Sequence, residues 1–391
     1  MNHVEITEYG RSPHRLTDRQ DRGLAQSDVV TATPAPHQPG LWNVASRGKV
    51  GVAQVGDVEV WIHPKLPIDR LLFLVGYAAH VGSWRDEDVG LDIAEGLVPA
   101  IAQALCRQIE RALRAGLLQG YRTIEESATV LRGRLREADQ LRRHHGRAIP
   151  MEVRHDDFTV DVPENQILLA AITRMAGVPR VDKESERRLT ALRARLVGVT
   201  TPARGNSLPS WQPSRLNQRY HTALRLAEVI WQVTSPEHTP GALFANRFLF
   251  NLWKIFEDFV VGALSEELHA RYGGVAIQRY QCHLDKKYRV RMEPDLVWQV
   301  QGRPVAVVDA KYKQDKPFED LYQVLAYCTA LRLSRGHLVY ARGNADPIRH
   351  AVRHADIEIV CHALDLTLPP AKLLAQVADI ADELVASSPP A

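Results

Sequence analysis

Glu293-Pro294-Asp295-Leu296-Val297-Trp298-Gln299-Val300-Gln301-Gly302-Arg303-Pro304-Val305-Ala306-Val307-Val308-Asp309-Ala310-Lys311 is the stretch on which the reading turns. Two apolar runs flank Gln301-Gly302-Arg303-Pro304, which predicts a strand, a tight turn and a second strand. Asp295 shares a strand face with Val297, while Leu296 and Trp298 point the other way. Asp309 and Lys311, two residues apart, share a face as well. Thirteen residues separate the two acids, and strand register can bring Asp295 beside the Asp309–Lys311 pair.

Two neighbouring carboxylates bind a hard divalent cation, Mg²⁺ first and Mn²⁺ as the alternative. Such a cation polarises a scissile phosphate and lowers the pKa of the water it holds. Lys311 would orient that water or neutralise developing charge. Three charged groups among Val and Ala need compensation, which a solvated surface pair would not. A bare Asp-x-Lys is common by chance; the apolar strand before it and the upstream Pro-Asp single this one out.

Two flanking helices extend the pattern. Residues 242–268 read as one long amphipathic helix, with Phe248, Leu252, Ile255, Phe256, Phe259, Val260 and Leu264 at helical spacing. Glu257 sits among them and is a candidate third acid of the site. Residues 318–333 form a second helix carrying Asp320, Tyr322, Gln323 and Tyr327. Gln323 and Tyr327 are four apart and share a face, as residues in a supporting role would.

This succession of helix, strand pair and helix resembles the PD-(D/E)xK nuclease core. Within that superfamily the chain resembles the McrC family, the nuclease subunit of McrBC-type modification-dependent restriction systems. Three further segments carry the likeness: Ile62-His63-Pro64-Lys65-Leu66 before Leu71-Leu72-Phe73-Leu74, the central Leu131-Arg132-Gly133-Arg134-Leu135, and Asp156-Asp157-Phe158-Thr159-Val160-Asp161 with Pro163-Glu164-Asn165. The resemblance spans roughly residues 40–370. It implies an α/β (α+β) chain whose C-terminal core is a mixed sheet flanked by helices, preceded by a mixed partner-docking region. It implies Asp295, Asp309, Lys311 and Glu257 as catalytic residues, Asp295, Asp309 and Ala310 at the metal, and Tyr322, Gln323 and Tyr327 in support. Lys313 would touch phosphate. The implied partners are double-stranded DNA and the hexamer of a separate AAA+ GTPase, which reads 5-methylcytosine and licenses cleavage. The chain would stimulate that GTPase. No G-x-x-x-x-G-K-[ST] run occurs in the sequence, consistent with a motor on another chain. A stand-alone Mg²⁺-dependent repair or recombination nuclease, and a non-catalytic activator of an NTPase, are the alternatives.

Composition agrees with an intracellular globular protein: 391 residues, 45% hydrophobic and 24% charged, suffice for two or three cores. The first ten residues hold no signal-peptide core, and the most apolar run, residues 71–79, is too short to span a bilayer, so cytoplasm is expected. The four cysteines lack a C-x-x-C pairing, which argues against a zinc ribbon or a disulfide framework. A net charge of +3 is too small to announce a polyanion partner. Its distribution is more informative: Arg132, Arg134, Arg136, Arg142, Arg143 and Arg147 fall within sixteen residues. They read as a solvated helix face, a set of phosphate contacts, or a dock for an acidic partner. The expected organisation is a flexible arm over 1–40, an α+β docking domain over 41–200, a Pro/Gly-rich linker over 201–215 and the nuclease domain over 216–391.

Overall fold

The computed structural model describes residues 2–36, 38–79, 96–202, 207–234, 244–312, 318–341 and 346–386. Its chain forms two compact units. One joins residues 1–101 with 233–391; the other is residues 102–232. The expected sequential division into docking and nuclease domains is therefore replaced by a discontinuous unit, because N-terminal strands pair with a strand preceding the helix Leu252–Tyr272.

Within the first unit, a six-stranded sheet has the order Val275–Gln278, Leu296–Val300, Arg303–Lys311, Arg335–Ala341, Glu358–Leu364, Ile348–Ala351. The middle three strands are parallel and the outer pairings antiparallel. Parallel neighbours need a crossover, and the helix Phe318–Leu331 supplies the first one. Alternation of side chains divides the two faces cleanly. Leu296, Trp298, Val308 and Ala310 pack with Phe256, Phe259, Val260, Leu373 and Val377 from the helices Leu252–Tyr272 and Pro370–Ala386. Val297, Val307, Leu338 and Tyr340 pack with Val324, Tyr327 and Cys328 from Phe318–Leu331. Burial on both faces explains why Val305-Ala306-Val307-Val308 is a continuous apolar run.

The long helix expected from residue 242 begins ten residues later. Phe244–Asn251 is a strand, antiparallel to Lys49–Val55, and the helix runs Leu252–Tyr272; residues 242 and 243 lie outside the described set. The apolar run was compatible with either state, and tertiary pairing decided it. Gly51, at φ 127°, makes that pairing possible, since a Cβ there would lie 2.0 Å from the Phe248 carbonyl oxygen.

The N-terminal arm is likewise ordered rather than flexible. Asn2–Thr7 runs parallel to Val58–His63 and buries Val4 and Ile6. Arg11–Arg15, Leu41–Ser46 and Val30–Pro34 make a three-stranded sheet. Between them the helix Asp18–Gln26 starts at a reciprocal capping box of Thr17 and Gln20. Alternating Val4 and Ile6 and the Thr-x-x-Gln signature carry this order in the sequence.

In the second unit, Gly120–Ala128 and Arg134–Leu135 flank Met151–Thr159 in an antiparallel sheet, accompanied by helices including Pro163–Met175, Lys183–Arg195 and His221–Thr234. Two motif residues are locks. Asn165 is fully buried and donates to the carbonyls of Leu118 and Val160 at 2.8 and 2.7 Å. Asp161 accepts from Thr200 N–H at 2.8 Å, Thr200 Oγ1 at 2.8 Å and Gln166 at 2.8 Å. The expected linker after residue 200 is thus tied down at its start. Trp211 then donates to Glu228 at 2.8 Å, under the guanidinium of Arg225. All four cysteines are buried and free. Among the described residues no helix is long and apolar enough to cross a membrane.

Candidate active site

The hairpin that carries the acids turns at Gln301 and Gly302, whose φ values of 51° and 76° suit a two-residue primed turn. Arg303 and Pro304 belong to the second strand rather than to the turn. The register skips Val305 between Trp298↔Ala306 and Gln299↔Pro304, and a bulge there suits a proline that has no N–H for the ladder. Beyond the bulge, Leu296 faces Val308. Continuing by one residue places Asp295 opposite Asp309.

The two carboxyl groups lie within hydrogen-bonding reach of each other. Asp295 Oδ2 also accepts the Ala310 N–H at 2.8 Å, which orients it across the strands. Asp309 is 1% exposed; its Oδ2 pairs with the Lys311 ammonium and has no other hydrogen-bond partner among the described residues. Burial pushes both acids above the ordinary carboxylate range. The mutual repulsion of the pair adds to this for Asp309, and the Glu257 charge adds to it for Asp295. Burial alone would lower Lys311, but the Asp309 carboxylate outweighs it and the ammonium is held on.

Glu257, on Leu252–Tyr272, is partly buried, and burial, then Asp258, raise its pKa, with a smaller contribution from Asp309. Its charge acts in turn on Asp295. Gln323 donates to the Tyr327 hydroxyl at 2.8 Å, and the phenol of Tyr327 is raised by burial and by Asp309 and Asp295 beyond it. Tyr322 is 69% exposed and does not join them. Lys313 lies outside the described residues.

Two further neighbours carry no role in the sequence reading: Asp320 is named there only on its helix, and Glu8 is not singled out. Asp320, 5% exposed, accepts from the Tyr340 hydroxyl at 3.2 Å and adds to the field on Lys311. Lys311 and Tyr340 are register partners on adjacent parallel strands, a relationship that only strand pairing reveals. The second is Glu8, whose buried carboxylate takes the hydroxyl of Tyr312.

No three Asp, Glu, His or Cys side chains form a ready metal cage among the described residues. What the site offers is a hard, all-oxygen set: the Asp295 and Asp309 carboxylates, with the main-chain oxygen as Ala310's only donor. Two adjacent carboxylates, Asp309 buried and Asp295 half-buried, are a fit for a divalent cation, whose charge would offset their repulsion.

The arginine cluster, in the other unit, is not one surface. Arg136 pairs with Glu125 at 3.0 Å and with Asp139; Arg142 also holds Asp139, at 2.7 Å. Arg143 and His144 both reach the buried Glu152, at 3.1 and 2.9 Å. Arg132 and Arg134 are exposed and make no ion pair with a described residue. The glycine between them is required: at φ 73°, a Cβ on Gly133 would lie 2.3 Å from the Arg154 carbonyl oxygen.

Fold and site together define a mixed α/β protein that gathers an acid–acid–lysine group, with Asp309 buried, at two adjacent strands. The chain belongs to the family of McrBC 5-methylcytosine restriction system components, whose model matches residues 44–341. Among solved structures it is similar to a chain of the refined half-complex from the tetradecameric assembly of Thermococcus gammatolerans McrB AAA+ hexamers with bound McrC. The TM-score is 0.62 at 17% identity, over 98% of this chain and 100% of that one, a likeness of fold. A chain of the cryo-EM structure of the Thermococcus gammatolerans McrBC complex matches 68% of this chain and 88% of its own length, at TM-score 0.42 and 16% identity. No curated protein sequence matches.

Proposed function

We propose that this chain is the DNA-cleaving subunit of a 5-methylcytosine-dependent restriction complex, an Mg²⁺-dependent endonuclease with a PD-(D/E)xK core. The observation that carries the reading is the opposition of Asp295 and Asp309 across the hairpin with Lys311 against them. A Mg²⁺ held there supplies Lewis acidity to the scissile phosphate and a lower pKa to its water. Asp295 and Asp309 would hold the cation together with the Ala310 carbonyl. The Ala310 N–H fixes the direction of the Asp295 carboxylate. Lys311, kept protonated by Asp309, stabilises negative charge that builds on the phosphate oxygens. Glu257 supplies a further acid whose charge acts on the pair, and Tyr327, oriented by Gln323, offers a hydroxyl beside it.

Control would come from a second protein. Family membership, the absence of a P-loop run, and the fold shared with the chain from the McrB–McrC assembly support an AAA+ GTPase hexamer as the partner, whose hydrolysis this chain stimulates. The test is plasmid cleavage with methylated and unmethylated DNA, with and without that GTPase and GTP. Cleavage is expected only with methylated DNA, partner and GTP together, and is lost in Asp309→Ala. Partner-free cutting by the wild type would favour an autonomous nuclease, and undiminished cutting by Asp309→Ala would remove the site.

A further inference from the structure

We infer that the hairpin of residues 282–292 is a duplex-DNA contact that draws the phosphate backbone across the Asp295–Asp309 pair; the inference rests on the nuclease reading of that pair. The hairpin is short and well built. Cys282 pairs with Met292 and His283 with Arg291, and Leu284 N–H donates to Val290 O at 3.0 Å. Its turn is folded around one side chain: the Asp285 carboxylate accepts the N–H groups of Arg289 and Val290 at 2.8 Å and of Lys287 at 3.2 Å. That acid's charge is directed inward, into the backbone donors.

What faces outward is basic and aromatic. Lys286, Lys287 and Arg289 are exposed and form no ion pair with a described residue, while Arg291 is occupied by Glu293 at 2.9 Å. Tyr288, between the cations, is 75% exposed, and its ring stands edge-on to His283 at 5.1 Å. An exposed large aromatic flanked by unpaired cations on a braced turn is a preorganised polyanion contact.

The hairpin's root identifies the polyanion. One leg runs through Glu293 and Pro294 directly into Asp295. The other leaves from Arg279, whose N–H donates to the Asp295 carbonyl at 3.0 Å. Six residues separate Tyr288 from Asp295, a reach of up to about 20 Å at roughly 3.3 Å per residue. A phosphate across one major groove, about 12 Å from the scissile one, falls within it. The acid pair by itself repels phosphates, so cations rooted at its edge supply the attraction that brings DNA onto it.

The test uses the full-length chain in EDTA with a duplex of about thirty base pairs, followed by fluorescence anisotropy over a salt series. Lys286→Ala, Lys287→Ala and Arg289→Ala together are expected to reduce the slope of log K against log salt by about 2.7, at about 0.9 per phosphate contact. Tyr288→Ala is expected to weaken binding without changing the slope. Melting temperatures should stay at the wild-type value. A wild-type slope and affinity in the triple variant, or no duplex binding by the wild type, overturns the inference. So does retained DNA binding with lost co-elution with the GTPase, which would make the hairpin a protein dock. Asp309→Ala is run in parallel: if it cleaves normally the nuclease reading falls, while the salt slopes still decide the hairpin.

Discussion

Tyr312, the residue after Lys311, gives its hydroxyl to the carboxylate of Glu8 in the N-terminal region. Glu8 is 1% exposed and also accepts Lys65 N–H at 3.2 Å. The Tyr312 ring lies 6.4 Å from Tyr9 and 5.8 Å from Phe256, the neighbour of Glu257. The turn after the first strand of the chain thus holds the side chain of the residue that follows the lysine strand. Tyr312→Phe leaves a buried acceptor short of a donor, at a cost of about 1–3 kcal/mol. Thermal unfolding should show a loss of a few degrees. An unchanged melting temperature would mean that Lys65 alone satisfies Glu8.

Asp309→Asn removes one of two like charges from a buried site. In EDTA at pH 8 the variant is expected to melt no lower than wild type, since it no longer holds two repelling carboxylates. Mg²⁺ should stabilise the wild type, by about 2.7 kcal/mol at a hundred times its Kd, and leave the variant unmoved. Equal responses to Mg²⁺ would take Asp309 out of the metal site.

His337 and His362 are 0% and 2% exposed, stacked at 5.3 Å and joined by a 3.0 Å Nδ1–Nε2 hydrogen bond. Burial lowers both, His362 to about 4, with His362 and Arg335 adding to the effect on His337 and Arg349 to that on both. Glu383 lies 3.6 Å from His362 Nδ1 and also pairs with Arg349. Because the unfolded chain binds these protons first, stability is lost as pH falls from the ordinary histidine range towards 4. The double variant His337→Gln, His362→Gln should lose less stability than wild type between pH 7 and pH 5 in urea titrations. Parallel losses would show that the pair is not the source.

Asp161 ties Thr200 and Gln166 to one carboxylate. Asp161→Ala strands several donors and is expected to cost about 2 kcal/mol or more. Chemical denaturation of the full chain measures it, and a change below about 0.5 kcal/mol would mark the network as solvated.

Charge reversal should divide the arginine cluster. Arg136→Glu breaks contacts to Glu125 and Asp139 and is expected to lower the melting temperature. Arg132→Glu with Arg134→Glu should leave it unchanged and act only on GTPase stimulation or DNA engagement. Equal melting losses in both variants would mean that the exposed pair also supports the fold.

Much of this protein was legible because its periodicities are strong. Proline in the first helical turn and the apolar run behind it mark the helix Pro163–Met175. The hairpin across Gly56-Asp57 forms with Val55 opposite Val58. Short apolar runs were less legible: residues 244–251 fit either state until the Lys49–Val55 strand claimed them. Arg136 could not be told from Arg132, since both are arginines in a polar segment and only the fold brings acids to one of them.

The sequence alone determined the chemistry on offer, because period-two alternation puts Asp309 and Lys311 on one face whatever surrounds them. Only the tertiary structure decided what those groups experience. Register set Asp295 opposite Asp309, burial raised both acids, and Glu8, in the turn after an N-terminal strand, took the hydroxyl of Tyr312. Burial and pairing are long-range properties: they depend on which distant segments pack together, and no local spacing carries that information.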